Sequence, residues 1–247
     1  MLQLVSKALR LLNGQKAAGR SFREIFEKGY SIASTEIICN IRQYVDEIHT
    51  VIDVGANQGQ FAIAASKGYP QANIYSFEPL PETFPILKKN VGKYDRIKSF
   101  NTALGSEQGV IDFYKNNHSH ASSALPVSTF QKNQLPETSI TQKIQVPVER
   151  LDRIADKLVL EAPVLLKLDV QGFEKQVLEG SSGIINKIDF LVFEASFIQM
   201  YDGETLFNEL HDYVQSCGFE LVAPVGALQN KKGQFLQLDM LYRRSSE

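Results

Sequence analysis

The sequence predicts an α/β protein built on one mostly parallel sheet, and three features carry that prediction. Residues 51–61, VIDVGANQGQF, read as a strand, a glycine turn and a helix start. Strand-length apolar runs then alternate with helix-compatible segments in β-α-β-α-β order. The chain closes with two strands joined by a short turn through Asn230 and Gly233, so one strand runs antiparallel. Seven strands closed by such a hairpin differ from the six-stranded dehydrogenase pattern.

Residues 1–48 stand apart as a helical amino-terminal cap, with 49–247 as the main domain. Leu2, Val5, Leu9 and Leu12 form a helical stripe interleaved with Lys7, Arg10, Lys16, Arg20 and Arg23. Packing on the domain, or on a second subunit to form a homo-oligomer, is favoured over lying on an anionic membrane. A further helix is expected over Thr35 to Tyr44, before the strand at Val51 to Val54.

The turn after that strand is a ligand site in outline. Gly55 permits a positive φ, Gly59 lets a ligand approach the backbone, and the helix start offers unpaired N–H groups. The G-x-x-x-G spacing lacks both the G-x-G-x-x-G pyrophosphate fingerprint and the G-K-[ST] of a P-loop. Asp53 would repel phosphate but accept from an ammonium group, which suits a zwitterionic amino-acid tail such as that of S-adenosylmethionine. An ordinary α/β turn with packing glycines is the alternative.

Ala72 to Phe77 reads as the second strand, stopped by Glu78-Pro79. Glu78 lies 25 residues beyond Asp53, close to the spacing at which nucleotide-binding α/β folds place an acid on ribose hydroxyls. A helix at Pro81 to Val91, a third strand at Ile97 to Leu104, a GSEQG turn and a VIDFYKN strand follow. Asn116 to Gln145 is polar and long enough to be a mobile lid, with His118, His120, Ser122 and Ser123 inside it.

The second half restarts with a buried strand at Val164 to Val170, where period-two geometry puts Lys167 and Asp169 on one face. Asp169 sits at the carboxyl end, where open α/β sheets bind ligands. Glu174 opens the next helix and is explained by the helix dipole. Glu194 follows the strand at Ile188 to Phe193, facing the reacting groups or pairing with a cation such as Lys167. A helix at Thr205 to Cys217 and strands at Phe219 to Ala223 and Phe235 to Tyr242 complete the chain.

Composition narrows the function classes. A net charge of −2 gives no general attraction to nucleic acid, and 43% hydrophobic with 22% charged residues is ordinary for a globular chain. Cys39 and Cys217 suit reduced core positions better than a zinc site or disulfide framework. No apolar segment reaches the roughly 18–20 residues needed to span a bilayer, so no membrane insertion and a cytoplasmic location are expected.

VIDVGANQGQF, SFEP, NTALGSEQG, the ASS of the long loop, LLKLDVQGFEKQVLEG and LVFEAS occur in this order. The ordered set, over roughly Val51 to Cys217, resembles the FkbM family of S-adenosylmethionine-dependent methyltransferases. The resemblance implies a class I, Rossmann-like methyltransferase fold acting on hydroxyl oxygens of sugars, glycans or related natural products. It implies that Asp53, Gly55, Asn57 and Gly59 hold the methionine part of the cofactor and that Glu78 holds the ribose. Asn101, Thr102 and Ala103 would lie near the adenine, with Asp169 and Glu194 facing a small-molecule or glycan acceptor.

Methylating a hydroxyl requires loss of its proton, and the residues allow two arrangements. In one, His118 or His120 is the base while Asp169 orients the hydroxyl, with Glu194 in support. In the other, Asp169 and Glu194 bind magnesium. The metal-free version is favoured because spacing supplies no third protein oxygen. An NAD-dependent oxidoreductase or epimerase on a related fold, or an inactive cofactor-binding module, are the alternatives. The glycine spacing and the lack of a Tyr-x-x-x-Lys pair weigh against the oxidoreductase.

Overall fold

A computed structural model describes residues 31–230 and 232–245. The basic stripe of the expected cap lies outside them. The first described helix, α1 (Ile32–Ile41), starts earlier than expected because Ser31 caps it, its Oγ accepting from Ser34 N at 3.2 Å.

The strands and helices that follow alternate as β1 (Thr50–Val54), α2 (Gln60–Gly68), β2 (Asn73–Phe77), α3 (Phe84–Val91) and β3 (Ile97–Phe100). After an insertion come β7 (Val164–Leu168), α6 (Glu174–Glu179), β8 (Phe190–Ser196), α7 (Phe207–Ser216), β9 (Phe219–Gln229) and β10 (Phe235–Arg244). Among the described residues these strands form one seven-stranded sheet in the order β3-β2-β1-β7-β8-β10-β9. Only β10 runs antiparallel to its neighbours, as the closing hairpin requires. This is the class I methyltransferase architecture.

Period-two alternation divides the core between the two faces of the sheet. Ile52, Val54, Leu166, Leu168, Leu191 and Phe193 pack with α6 and α7, whereas Val51, Leu165 and Val192 pack with α1, α2 and α3. Asp53 and Lys167 share the second face, and the β1–β7 register sets them side by side. Cys39 and Cys217 form no disulfide, and both are half-buried. No described helix is long and apolar enough to cross a membrane.

Two expectations about the middle of the chain change. The third strand was expected to run to Leu104, but it ends at Phe100 because Asn101 Nδ2 donates to the carbonyls of Glu78 and Pro79, at 2.8 and 3.1 Å, and turns the chain. The next strands, β4 (Ala103–Leu104), β5 (Gly109–Asn116) and β6 (Thr141–Glu149), form a separate sheet ordered β4-β6-β5. The expected loop of 116–145 therefore gives its last residues to β6, which pairs with β5 from Gly109 to Asn116.

The rest of that segment is seated rather than bare. Helix α4 (Thr129–Gln134) is capped by Ser128 Oγ, which accepts from Gln131 N at 3.1 Å. A satellite core of Val127, Met200, Tyr201 and Leu236, with Leu125 and Phe130, holds it down. Ser128 N donates to Met200 O at 2.9 Å and Asp202 N to Pro126 O at 2.8 Å. The short helix α5 (Leu151–Ile154) leads back towards β7.

Gly55 has φ +77°, and a Cβ there would lie 1.9 Å from the Asp169 carbonyl oxygen. Only glycine lets the β1 turn pack against the end of β7. Gly55→Ala should lower unfolding stability by at least about 2 kcal/mol. Gly233→Ala, also at positive φ (+81°) but in open space, should cost only about 1 kcal/mol. Denaturant midpoints compare the two, and equal losses would remove the steric argument.

Candidate active site

The β1 turn, the end of β2, the end of β7 and the inserted segment line one cleft. Glu78, which is 5% exposed, lines it. Its Oε2 accepts from Asn57 N and its Oε1 from Leu80 N, both at 2.9 Å. Each oxygen keeps a lone pair for a further donor. Burial pushes Glu78 up to about 7 against the pull of these two N–H groups.

Asn57 adopts φ +47° and works in two directions. Its N–H reaches Glu78, while its side chain holds the segment above: Ser119 Oγ donates to Asn57 Oδ1 at 3.1 Å, and His120 Nδ1 lies 3.1 Å from Asn57 Nδ2. Gly55, Asn57, Glu78, Thr102, Ala103, His120 and Asp169 all line the cleft. Phe77, Leu80, Ile111 and Phe113 give the Thr102–Ala103 end an apolar wall.

Other expected site residues stand back from it. Asp53 is fully buried beneath the turn, and its carboxylate faces Lys167 Nζ at 3.2 Å. It therefore meets no ligand ammonium directly. Gly59 does not open the backbone to a ligand: a Cβ there would lie 2.9 Å from Leu87 and 2.8 Å from Val91, so this glycine serves the packing of α2 on α3. Asn101 spends its amide on the backbone beneath Glu78. His118 is exposed, its backbone N–H donating to Asn116 Oδ1 at 2.9 Å and its carbonyl accepting from Ala121 N at 2.8 Å. His118 does not line the cleft, whereas His120 does.

The charged floor is built around Lys167. Its Nζ lies 3.2 Å from Asp53 and 3.4 Å from Asp169, and 5.2 Å from the Phe61 ring centroid. Burial works against the ammonium charge, but the two carboxylates outweigh it and hold the group above its ordinary range. Burial raises Asp53, and Lys167 pulls it back. Lys167 pairs with these acids, not with Glu194.

Asp169 keeps 42% of its side chain exposed at the cleft edge. Glu194 does not line the cleft. Its Oε2 accepts from Gln171 Nε2 at 2.8 Å and from Gln237 Nε2 at 3.0 Å. Burial, with the charges of Asp169 and Asp239, pushes Glu194 well above the carboxylate range. Glu174 is more than a dipole partner. It is 3% exposed, and its Oε1 accepts from Val170 N at 3.2 Å and Gly172 N at 3.3 Å. Burial raises it to about 8. It thus supports the loop that carries Asp169.

Sequence reasoning missed Gln171 and Tyr201. Gln171 lines the cleft and adopts φ +56°, followed by Gly172 at φ +94°. The Gln-Gly pair after an acid was the available signal for a left-handed turn.

Comparisons with known proteins agree with this geometry. The methyltransferase FkbM domain matches residues 53–221. The chain is 31% identical over 179 residues to the 2-O-methyltransferase NoeI of Sinorhizobium fredii, covering 70% of this chain and 73% of that protein. It is 27% identical over 256 residues to the 31-O-demethyl-FK506 methyltransferase FkbM of Streptomyces tacrolimicus, covering 89% and 91%. The hexuronic acid methyltransferase AglP of Haloferax volcanii is 24% identical over 160 residues, covering 64% of this chain and 61% of that protein. With the domain match spanning most of a class I sheet and its cleft, the chain belongs to the FkbM family of methyltransferases.

Proposed function

We propose that this enzyme moves a methyl group from S-adenosylmethionine to a hydroxyl oxygen, on a sugar or a related polyhydroxylated product. The observation that carries this reading is one cleft with Glu78 at its nucleotide end and the exposed Asp169 at its other side, roofed by His120. NoeI, AglP and FkbM, each a methyltransferase named for an oxygen position or for a hexuronic acid, support the acceptor class.

The donor set fits the cofactor. Glu78 has free lone pairs for ribose hydroxyls, the turn at Gly55 has no side chain to block the cleft, and the apolar wall by Thr102 and Ala103 suits an adenine ring. When bound, S-adenosylmethionine supplies an electrophilic methyl group. The protein's own work is on the acceptor. Asp169 accepts a hydrogen bond from the hydroxyl and orients it, and His120 takes the proton as the oxygen attacks. Lys167 holds Asp169 from below. Magnesium between Asp169 and Glu194 is the less favoured arrangement, because the Gln171 amide already lies between the two carboxylates.

Two predictions test this. S-adenosylmethionine and S-adenosylhomocysteine should raise the thermal midpoint, whereas NAD should not. Glu78→Gln should weaken their binding by about ten- to a hundredfold. The ribose needs the carboxylate as acceptor, while Glu78 holds its proton up to about 7. Wild-type affinity should therefore climb as pH rises through that value, and Glu78→Gln should be flat. The sign follows from linkage: a raised acid makes the unliganded fold lose stability as pH rises from 4.5 to about 7, and binding recovers part of it. Calorimetry at pH 6 and 8 measures this; pH-independent wild-type binding would take Glu78 out of the ribose site.

Asp169→Asn should cut methyl transfer by about two orders of magnitude while S-adenosylhomocysteine binding persists. His120→Ala should lower kcat by about a hundredfold, and His118→Ala should leave it near the wild-type value. S-adenosylhomocysteine release with p-nitrophenyl glycosides of hexoses and hexuronic acids is the assay. Near-normal turnover of Asp169→Asn would sink the assignment.

A further inference from the structure

Gln171 ties the two strand-end acids together. Its Nε2 donates to Asp169 Oδ1 and to Glu194 Oε2, both at 2.8 Å, which uses both amide hydrogens. Its Oε1 accepts from the Tyr201 hydroxyl at 2.7 Å. That last bond fixes the amide orientation, since the flipped form would set a carbonyl oxygen against two carboxylates.

The backbone around it is over-determined. Gln171 holds φ +56°, which a side-chain-bearing residue adopts at a cost. The Gln171 carbonyl accepts from Ser123 Oγ at 2.7 Å. Next in the chain, a Cβ on Gly172 would lie 2.8 Å from Glu204 Cβ, so the loop is pressed against the 197–204 segment. Glu204 is itself bonded to Met200 N, Tyr201 N and Ser196 Oγ. A side chain placed at such cost between two acids calls for a role beyond filling space.

We propose that Gln171 is a positioning residue for methyl transfer: by bonding Asp169 to Glu194, and being locked by Tyr201, it fixes the direction in which Asp169 meets the acceptor hydroxyl. This rests on the role given to Asp169 above. Glu194 is then the buried anchor of the tie, which explains why it faces no cleft. The charges around Asp169 agree with this division. Lys167 holds its other oxygen, Oδ2, from β7, with Asp53 behind it on β1. Glu194 on β8, Asp239 on β10 and Glu174 on α6 are the other acids around it, all raised by burial, and Tyr201 is the neighbouring hydroxyl. An amide donor is the group that lets two carboxylates approach without a cation between them.

Two variants separate the tie from mere packing. Gln171→Met keeps volume and removes the donor, and Gln171→Glu keeps shape but turns the donor into a third carboxylate. Carbon-13 NMR titration of the Glu194 carboxyl, assigned through Glu194→Gln, reads the tie without any acceptor. In Gln171→Met its midpoint should rise further, because the bond that opposes burial is lost. With a hexose or hexuronic acid glycoside that wild type turns over, kcat should fall about ten- to a hundredfold in both variants. The KM for S-adenosylmethionine should stay within about threefold. Tyr201→Phe should give a smaller loss of the same kind, by freeing the amide to flip.

A wild-type kcat together with an unmoved Glu194 midpoint in Gln171→Met would overturn the proposal. If that variant fails to fold, Gln171→Glu decides it: wild-type turnover with an added carboxylate at this point excludes a donor role. Failure of the underlying reading looks different. Wild type would then bind no S-adenosylmethionine, or Asp169→Asn would keep full activity.

Discussion

The site depends on one buried ammonium group. Lys167 stands on β7 directly beside Asp53 on β1, and its Nζ also meets Asp169 two residues on. Asp53 has no solvent to fall back on, and Lys167 retains only 8% side-chain exposure. Removing one member of such a pair leaves an uncompensated charge in the core, at a cost of about 3–5 kcal/mol. The pair also links the β1 turn to the end of β7. Asp53 lies two residues before Gly55, and Gly55 presses on the Asp169 carbonyl. The two sides of the cleft thus share one electrostatic foundation.

Much of this was readable from residue order. The apolar runs, the glycine turn and the closing hairpin located the strands of the main sheet and its antiparallel partner, while β4 and β6 went unread. Period-two alternation placed Lys167 and Asp169 on one face, and they do meet. Glu78 was singled out because it ends the second strand 25 residues beyond Asp53, close to the spacing at which such folds place an acid on ribose hydroxyls. Asp53 shows where such reasoning stops. Alternation says which face a side chain takes, but it cannot say what the neighbouring strand puts opposite, and here that neighbour is Lys167, far along the chain. Gly59 misled for a similar reason: a missing Cβ makes room, and a helix took the room before a ligand could.

The polar stretch after Asn116 misled by composition. Its serines, threonines and glutamines looked like solvated loop, yet Ser128 caps a helix, Ser123 bonds the Gln171 carbonyl, and Thr141 begins a strand. Polar side chains in these positions satisfy the backbone of an irregular segment, the accounting that a buried connection must meet. Hydrophobic periodicity could not reveal this, because the apolar anchors Val127 and Phe130 find their partners at Met200, Tyr201 and Leu236.

The three-stranded sheet is inserted whole between β3 and β7, and it rests on the main sheet without joining its hydrogen-bond ladder. The strands that carry Glu78 and Asp169 are registered by their own neighbours, so the inserted roof can change its surface without shifting either acid. Roof and floor are in this sense separately built: the floor carries Glu78 and Asp169 on registered strands, and the inserted sheet lends the same cleft an apolar wall through Ala103, Ile111 and Phe113.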